Sequence, residues 1–519
     1  MAERNESKKV MTARENIKAL EEVAGLAEKA REEGNKVVLA HGVFDLLHMG
    51  HARHLEAARQ QGDLLIVTVT ADQYVNKGPG RPVFPELLRA EMLAAMDCVG
   101  YSGVNHAPTA ENVLREVRPD VYVKGGDYAD EDEDVTGKIR AEREIVEGYG
   151  GTVVYTDELT FSSSELINAH LAMKAPEARA FLDGVRRDGG AEQVLGLIER
   201  LSDMKVMFVG ETIMDEYHYV TPLGKAAKES IIATNYQSRE LFAGGVVAAA
   251  NHAANFCAEV EVVTCLGAES EHDDVVNDSL QPNIKLTAFR HSKRPTICKR
   301  RYVDDSDMRK LFEVCYMDDS PISETHSSEI CDYIEKNAGN YDLVIVSDFG
   351  HGMLVRSVID ALEKAAKFLA VNAQSNSANR GYNPITKYPR ADFVCIDEPE
   401  ARIALHDKHR DLYDILGQDL PAAIDCKRII VTHGGRGCLA WEPENGVQHV
   451  PAFTNNPLDT IGAGDAFLSL ASPMAAMGAS MRDVAFVGNI AGGIKVGIVG
   501  HRKSVDKVSV KKSIIGLLK

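Results

Sequence analysis

The nine cysteines of this chain are scattered, with no CxxC pair and no Cys/His spacing that reads as zinc, so neither a disulfide framework nor a structural zinc site is expected. Free thiols in a reducing compartment fit better. Basic charge is also in deficit. The chain has 58 Lys and Arg against 77 Asp and Glu, a net charge of −19, which argues against the broad basic face that nucleic acid requires. Anionic small molecules remain open, because a few local Lys and Arg residues with Mg²⁺ can hold a nucleotide in an acidic protein. No stretch approaches the roughly 18 consecutive apolar residues of a membrane span. Residues 1–9 are polar, without the apolar core of a signal peptide. The expectation is a cytoplasmic protein without membrane or nucleic-acid partners.

A length of 519 residues exceeds one ordinary core and suits two domains. Hydrophobic content of 45% and charged content of 26% are those of a globular chain. Residues 1–35 read as a helical extension, with a polar helix over 11–34. The runs Val37–Ala40, Leu64–Thr70 and Val121–Val123 alternate with helical patterns near 50–61 and 86–96, which predicts a parallel sheet with crossover helices over 36–171. Residues 172–203, rich in Ala, Glu and Arg, read as a helical linker that packs on the second domain. A new series of strands opens at Val206–Gly210 and continues at 260–264, 343–347, 393–396 and 429–432, giving a second α/β domain over 204–519.

Two glycine-containing motifs carry the chemistry. In His41-Gly42-Val43-Phe44-Asp45-Leu46-Leu47-His48-Met49-Gly50-His51, two imidazoles three residues apart share one face of a helix's first turn. Helix N-termini attract phosphate through their free N–H groups, and Gly42 and Gly50 let backbone approach a ligand. His48 and His51 can then stabilise a triphosphate as a nucleophile attacks its α-phosphorus. Surface histidines, or two ligands of a metal, are the competing readings of the pair alone.

The surroundings add Lys77-Gly78-Pro79-Gly80-Arg81-Pro82-Val83, Arg89, Val123-Lys124-Gly125-Gly126-Asp127-Tyr128 and Ser162-Ser163-Ser164. Together these resemble the HxGH nucleotidyltransferase superfamily over roughly 36–170, most closely its heptose-1-phosphate adenylyltransferases and their cytidylyltransferase relatives. The resemblance implies that His48 and His51 bind the triphosphate. Phe44 and Asp45 would shape the strand-to-helix turn. Lys124, Gly125 and Asp127 would line the nucleotide pocket with Gly42, and Ser162, Ser163 and Ser164 would hold phosphate. Lys77 and Arg81 are candidate contacts to sugar phosphate or pyrophosphate, or plain surface charges.

The second motif is Asp459-Thr460-Ile461-Gly462-Ala463-Gly464-Asp465-Ala466-Phe467. Gly462, Ala463 and Gly464 can turn backbone N–H groups toward a γ-phosphate at the start of an apolar helix. Asp465 is then placed to accept a proton from an attacking hydroxyl. The string resembles the ribokinase, or PfkB, family of carbohydrate kinases, a match running from about 204 to 519. That resemblance implies Asp215, Gly244 and Gly245 at the sugar, with Lys299 and Arg301 on a bordering strand. It implies Gly434, in Val431-Thr432-His433-Gly434-Gly435-Arg436-Gly437, at the nucleotide. It also implies Asp397 and Glu400 near Mg²⁺. Two departures stand out. Ala248 and Ala249 replace the expected sugar-contacting Asn, with Asn251 the nearest candidate, and Asp397 replaces the Asn of an NxxE motif.

The combined expectation is a Rossmann-like nucleotidyltransferase followed by a ribokinase-like kinase with a small β lid around 219–236 and 294–314. It resembles the bifunctional heptose-7-phosphate kinases/heptose-1-phosphate adenylyltransferases with the domain order reversed. Phosphorylation at an anomeric hydroxyl would precede transfer of a nucleotidyl group to the sugar 1-phosphate. ATP and Mg²⁺ are the implied cofactors, with CTP the alternative donor at the first site. Two other readings stay open: a cytidylyltransferase for another sugar or polyol phosphate, and a second domain that binds sugar without catalysis. A homodimer is expected through the lid.

Overall fold

The computed structural model describes residues 12–75, 82–125, 138–156, 176–226, 228–268, 270–291, 294–454 and 457–518. Of the candidates above, Lys77, Arg81, Asp127, Ser162, Ser163 and Ser164 lie outside the described residues. Chain contacts divide the molecule into two compact units, chiefly Met1–Met173 and Lys174–Val510.

In the first unit, β1 (Val37–Gly42), β2 (Leu64–Thr70), β3 (Tyr101–Asn105), β4 (Val121–Gly125) and β5 (Thr152–Thr156) form one sheet in the order β3-β2-β1-β4-β5. Every pairing is parallel. Such a sheet needs apolar cover on both faces, and β1 supplies it: Val38 and Ala40 enter one core cluster, Val37 and Leu39 the other. The sequence runs missed β3, whose Ser, Gly and Asn dilute the strand pattern, and β5, although its Thr-Val-Val-Tyr-Thr run favours a strand. The order reverses between β1 and β4, and in doubly wound sheets ligands bind outside the strand C-termini at such a switch point. The His48 motif leaves β1 at that edge. The polar N-terminal helix is shorter than predicted: a 3₁₀ turn at Ala13–Asn16 precedes a helix over Leu20–Glu32.

The second unit has a nine-stranded sheet and a separate four-stranded one. Its strands are β6 (Lys205–Gly210), β7 (Thr212–Lys225), β8 (Ile232–Gly245), β9 (Glu259–Gly267), β10 (Ile284–His291), β11 (Ile297–Asp304), β12 (Lys310–Tyr316), β13 (Leu343–Asp348), β14 (Leu369–Ala373), β15 (Phe393–Asp397), β16 (Ile429–Thr432), β17 (Cys438–Glu442) and β18 (Gly446–Val450). The larger sheet runs β10-β9-β6-β13-β14-β15-β16-β17-β18. It is parallel up to β16 and antiparallel beyond it. The smaller sheet, β12-β11-β7-β8, is the lid expected from the sequence. Only Glu211 separates β6 from β7, so Asp215 sits where the lid leaves the main sheet.

The predicted linker is two helices, Pro176–Arg187 and Gly190–Arg200, broken at Gly189 and Gly190, which have φ of 105° and 61°. It packs on this unit through Phe181, whose ring lies 6.0 Å from Phe453 and 5.7 Å from Phe486. Among the described residues no helix is long and apolar enough to cross a membrane.

Candidate active sites

At the first site, β1 turns into the helix Met49–Arg59 through Phe44, a buried residue with φ of 48°. His48 is the N-cap, its Nδ1 accepting the Gly50 N–H at 3.0 Å. With Nδ1 an acceptor, the proton of the neutral ring sits on Nε2, which makes that atom a donor. The rings of His48 and His51 are 4.1 Å apart, and the edge of Phe44 packs on His51 at 5.4 Å. The spacing in the sequence does bring the pair together, on a helix N-terminus.

Two buried groups hold this turn. Asp45 Oδ1 accepts the N–H groups of Val83 and Phe84 at 2.6 and 3.2 Å. Arg89, fully buried, donates to the carbonyls of Val43, Phe84 and Thr70 and to Asp72 Oδ1, the last three at 2.9, 2.7 and 2.6 Å. Arg89 therefore ties the loops after β1 and β2 to the 82–85 segment, a positioning role that its place in the motif did not reveal.

Lys124, at the end of β4, pairs with Glu142 at 2.8 Å, and Tyr122 donates to the same carboxylate at 3.1 Å. Lys124, which the resemblance places at the nucleotide pocket, thus has Glu142 as an ion-pair partner. Burial first, and Lys124 second, hold the His41 imidazole down at about 3. His41 is neutral and bonded to Thr68 Oγ1 at 2.9 Å. His54 is lowered by the same two causes and reaches Thr156 Oγ1 at 2.8 Å. Neither was predicted as functional, and both serve to lock β1 and the helix in place.

The second site is assembled from widely separated segments. Gly462, with φ of 76°, caps the helix Ala463–Ala476, and Asp465 lies buried in its first turn. Gln374 Nε2 donates to Asp465 Oδ1 at 3.1 Å. Burial pushes the Asp465 carboxyl up to about 6, while His501 opposes the rise and Asp215 adds to it. Asp215 is itself buried, yet Arg301 and His501 overcome that burial and hold it well below the usual carboxylate range. Arg301 Nη1 bonds Asp215 Oδ1, and His501 Nε2 lies 3.2 Å from Oδ2.

Two glycines are demanded here by space. A Cβ on Gly244 would sit 2.0 Å from Asp215 Oδ2, and one on Gly462 would sit 2.9 Å from His501 Cε1. Gly244, Asp215, His501, Gly462 and Asp465 thus converge, with Lys299 beside Asp215 in the β7–β11 register. Nothing in the sequence pointed to His501, which stands 286 residues from Asp215 and joins it only through folding.

The other candidates fall as follows. Gly245 has φ of 59° at the end of β8. Asn251, the nearest Asn to the missing one, is buried, and its Oδ1 accepts the Gln281 N–H at 3.0 Å. Gly434 opens the turn after β16. Asp397 and Glu400 form a capping box at the helix Glu398–Ala404, each accepting the other's N–H at 2.8 Å. Glu400 also accepts the Ser375 N–H at 2.8 Å. Burial, and then Asp397, raise the Glu400 pKa. Among the described residues no cluster of three or more His, Cys, Asp or Glu forms a metal cage.

Comparisons with known proteins agree with this division. The cytidylyltransferase-like family matches residues 39–169 and the pfkB family carbohydrate kinases match residues 203–508. Curated relatives named bifunctional protein HldE are similar in the N-terminal region: that of Geobacter metallireducens is 40% identical over 139 residues, 26% of this chain and 27% of the relative. That of Pseudomonas putida strain F1 is 43% identical over 139 residues, 26% of this chain and 28% of the relative. The chain thus matches about a quarter of the length of these relatives. Similar solved structures include a putative ribokinase from Agrobacterium tumefaciens, with TM-score 0.48 and 17% identity over 60% of this chain and 98% of that one. Phosphofructokinase-2 from Escherichia coli in complex with substrates and products has TM-score 0.48 and 13% identity over 61% of this chain and all of the other. With its signature spanning more than half of the residues, the chain belongs to the pfkB family of carbohydrate kinases.

Proposed function

We propose that the chain activates a sugar in two steps, with 36–171 as the nucleotidyltransferase and 204–519 as the kinase. The kinase phosphorylates the anomeric hydroxyl of a sugar, a heptose 7-phosphate being the favoured substrate. The nucleotidyltransferase then joins the sugar 1-phosphate to a nucleoside monophosphate and releases pyrophosphate, with ATP as the favoured donor. The observation that carries the reading is the Asp465 cluster. A buried carboxylate, with its pKa near 6, stands on a glycine-capped helix N-terminus beside Asp215 and His501. Phosphoryl transfer to a hydroxyl needs that combination of base, anion site and hydroxyl ligand.

Asp397 and Glu400 offer the hard oxygen donors that suit Mg²⁺, with nucleotide phosphates and water completing its shell. The bound ion would neutralise charge developing on the transferred phosphoryl group. At the first site, the Nε2–H of His48 and the N–H groups of the helix Met49–Arg59 act on the α-phosphate of the donor. The likeness to proteins named bifunctional HldE supports the pairing of activities, with the domain order reversed. The cytidylyltransferase-like match over 39–169 favours a second reading, with CTP as donor for another sugar or polyol phosphate. Both readings place the protein in the cytoplasm.

The test is pyrophosphate release with a panel of sugar 1-phosphates against ATP and CTP, on the wild type and on His48→Ala. Release with heptose 1-phosphate and ATP, lost in the variant, supports the first reading. Release only with CTP and another phosphate replaces it with the second.

A further inference from the structure

Lys495 is fully buried at the C-terminal end of the helix Met481–Lys495. Its ammonium has no carboxylate partner within bonding distance among the described residues. Its Nζ instead donates to three main-chain carbonyls: Ile461 at 2.7 Å, Gly500 at 2.8 Å and Ile498 at 3.4 Å. An ammonium has three protons, and each is given to a carbonyl dipole. Three converging carbonyls around a buried positive charge form a cation cage, and here the cation is part of the chain.

The cage is built from the two loops that make the kinase site. Ile461 precedes Gly462, and Lys495 Cε lies 3.2 Å from where a Gly462 Cβ would be. Gly500 precedes His501, the partner of Asp215. A trans peptide holds its C=O and the next N–H on opposite sides of the bond. Fixing the Ile461 carbonyl on Nζ therefore turns the Gly462 N–H away from the lysine, and fixing Gly500 does the same for the His501 N–H. Asp459 braces the same two loops from its own side, accepting the N–H groups of Ile461 at 3.1 Å and Gly500 at 2.8 Å. Burial, with Lys310 adding to it, lowers the Lys495 pKa from its ordinary value, and the charges of Asp459, Asp465 and Asp215 oppose that fall.

We propose that the Lys495 ammonium is a built-in monovalent cation that positions the 459–462 and 498–501 loops for anion binding, so that this site needs no monovalent metal ion. Lys495 is a positioning residue and touches no substrate. The inference rests on the kinase reading only for its rate consequences; the cage itself can be tested without turnover.

The experiment uses the full chain and Lys495→Ala, with Lys495→Met as an apolar filler. Melting temperature and kinase rate are measured in sodium, potassium, ammonium and choline chloride at equal ionic strength. The wild type is expected to melt at one temperature in all four salts. Lys495→Ala is expected to melt lower and to recover selectively in potassium or ammonium, whose size matches the lost group. Its kcat should fall about a hundredfold, the usual loss when an anion site is disorganised, and recover in the same salts with KM for the sugar little changed. Lys495→Met blocks the cage and should recover in none. A potassium-specific rise in wild-type melting temperature overturns the proposal. So does a Lys495→Ala protein that no cation restores, or a Lys495→Met protein with wild-type kcat. If the wild type turns over no sugar, the kinase reading fails, and the melting series still decides the cage.

Discussion

Asp465 shows at one residue how catalysis and stability oppose each other. Its carboxyl titrates near 6 in the folded chain against 3.8 for the free group, chiefly because it is buried. A raised value means that the charged form is held at a cost, on the order of 2–3 kcal/mol above pH 6. The cost shrinks as pH falls through 6 and is gone below about 4. As a base the group acts only when charged, so the kinase rate should fall as pH drops through about 6, read from kcat/KM against pH. Asp465→Asn keeps the Gln374 hydrogen bond and removes the charge. It should abolish the kinase, raise the melting temperature at pH 7, and lose that advantage near pH 4. An Asp465→Asn protein that kept its kinase rate would return the second domain to the non-catalytic sugar-binding reading. His48 separates two roles in the same way, since Nδ1 caps the helix and Nε2 carries the donor proton. His48→Asn supplies a new capping oxygen without that donor. Melting should change by less than about 0.5 kcal/mol while pyrophosphate release drops by two orders of magnitude.

At the scale of elements, the sites depend on loops held by buried groups. Arg89 spans three of these loops in the first unit. Arg89→Met preserves the bulk but strands three carbonyls, and should destabilise that unit by about 3 kcal/mol, read as an earlier unfolding transition. The nucleotidyltransferase rate should fall with it, because the His48 turn loses its brace, while the kinase rate holds. What the sequence made legible follows from the same distinction. Apolar runs such as Val37–Ala40 and Leu343–Ser347 announce buried parallel strands, and glycine-bracketed strings mark the turns His48 and Asp465 stand on. The run Thr152–Thr156 was legible as a strand and was passed over, whereas the helix start at Leu20, the strand Tyr101–Asn105, and the roles of Arg89 and His501 were not legible. Each is set by contacts with distant segments, and no local period encodes them. The Asp397-to-Glu400 spacing was legible as a motif, but only the fold shows both carboxylates bound into a helix cap.

At the scale of the whole molecule, the lid of the second unit carries a set of exposed apolar side chains. Leu223, Ile231, Ile232, Tyr236, Phe312, Val314 and Tyr316 are all exposed, Phe312 at 50% and Ile232 at 62%. They lie on or beside β7, β8 and β12, with Tyr302 stacked on Phe312 at 4.4 Å and Arg300 over the Tyr316 ring. Exposed apolar side chains gathered on one small sheet suit an association surface. A second copy of the same lid would cover it by two-fold pairing. Sedimentation at micromolar concentration should therefore give a dimer. Phe312→Glu combined with Ile232→Lys should give a monomer with an unchanged far-ultraviolet spectrum, since both side chains are exposed and lie outside the core, Phe312 losing its stacking on Tyr302. The kinase should then bind its sugar more weakly, because Asp215, Lys299 and Arg301 stand on β7 and β11 of the same sheet, which a partner lid would hold in place. The nucleotidyltransferase, with its site on a separate sheet, should keep its rate. A wild type that sediments as a monomer, or a double variant that stays dimeric, would move the association surface away from the lid.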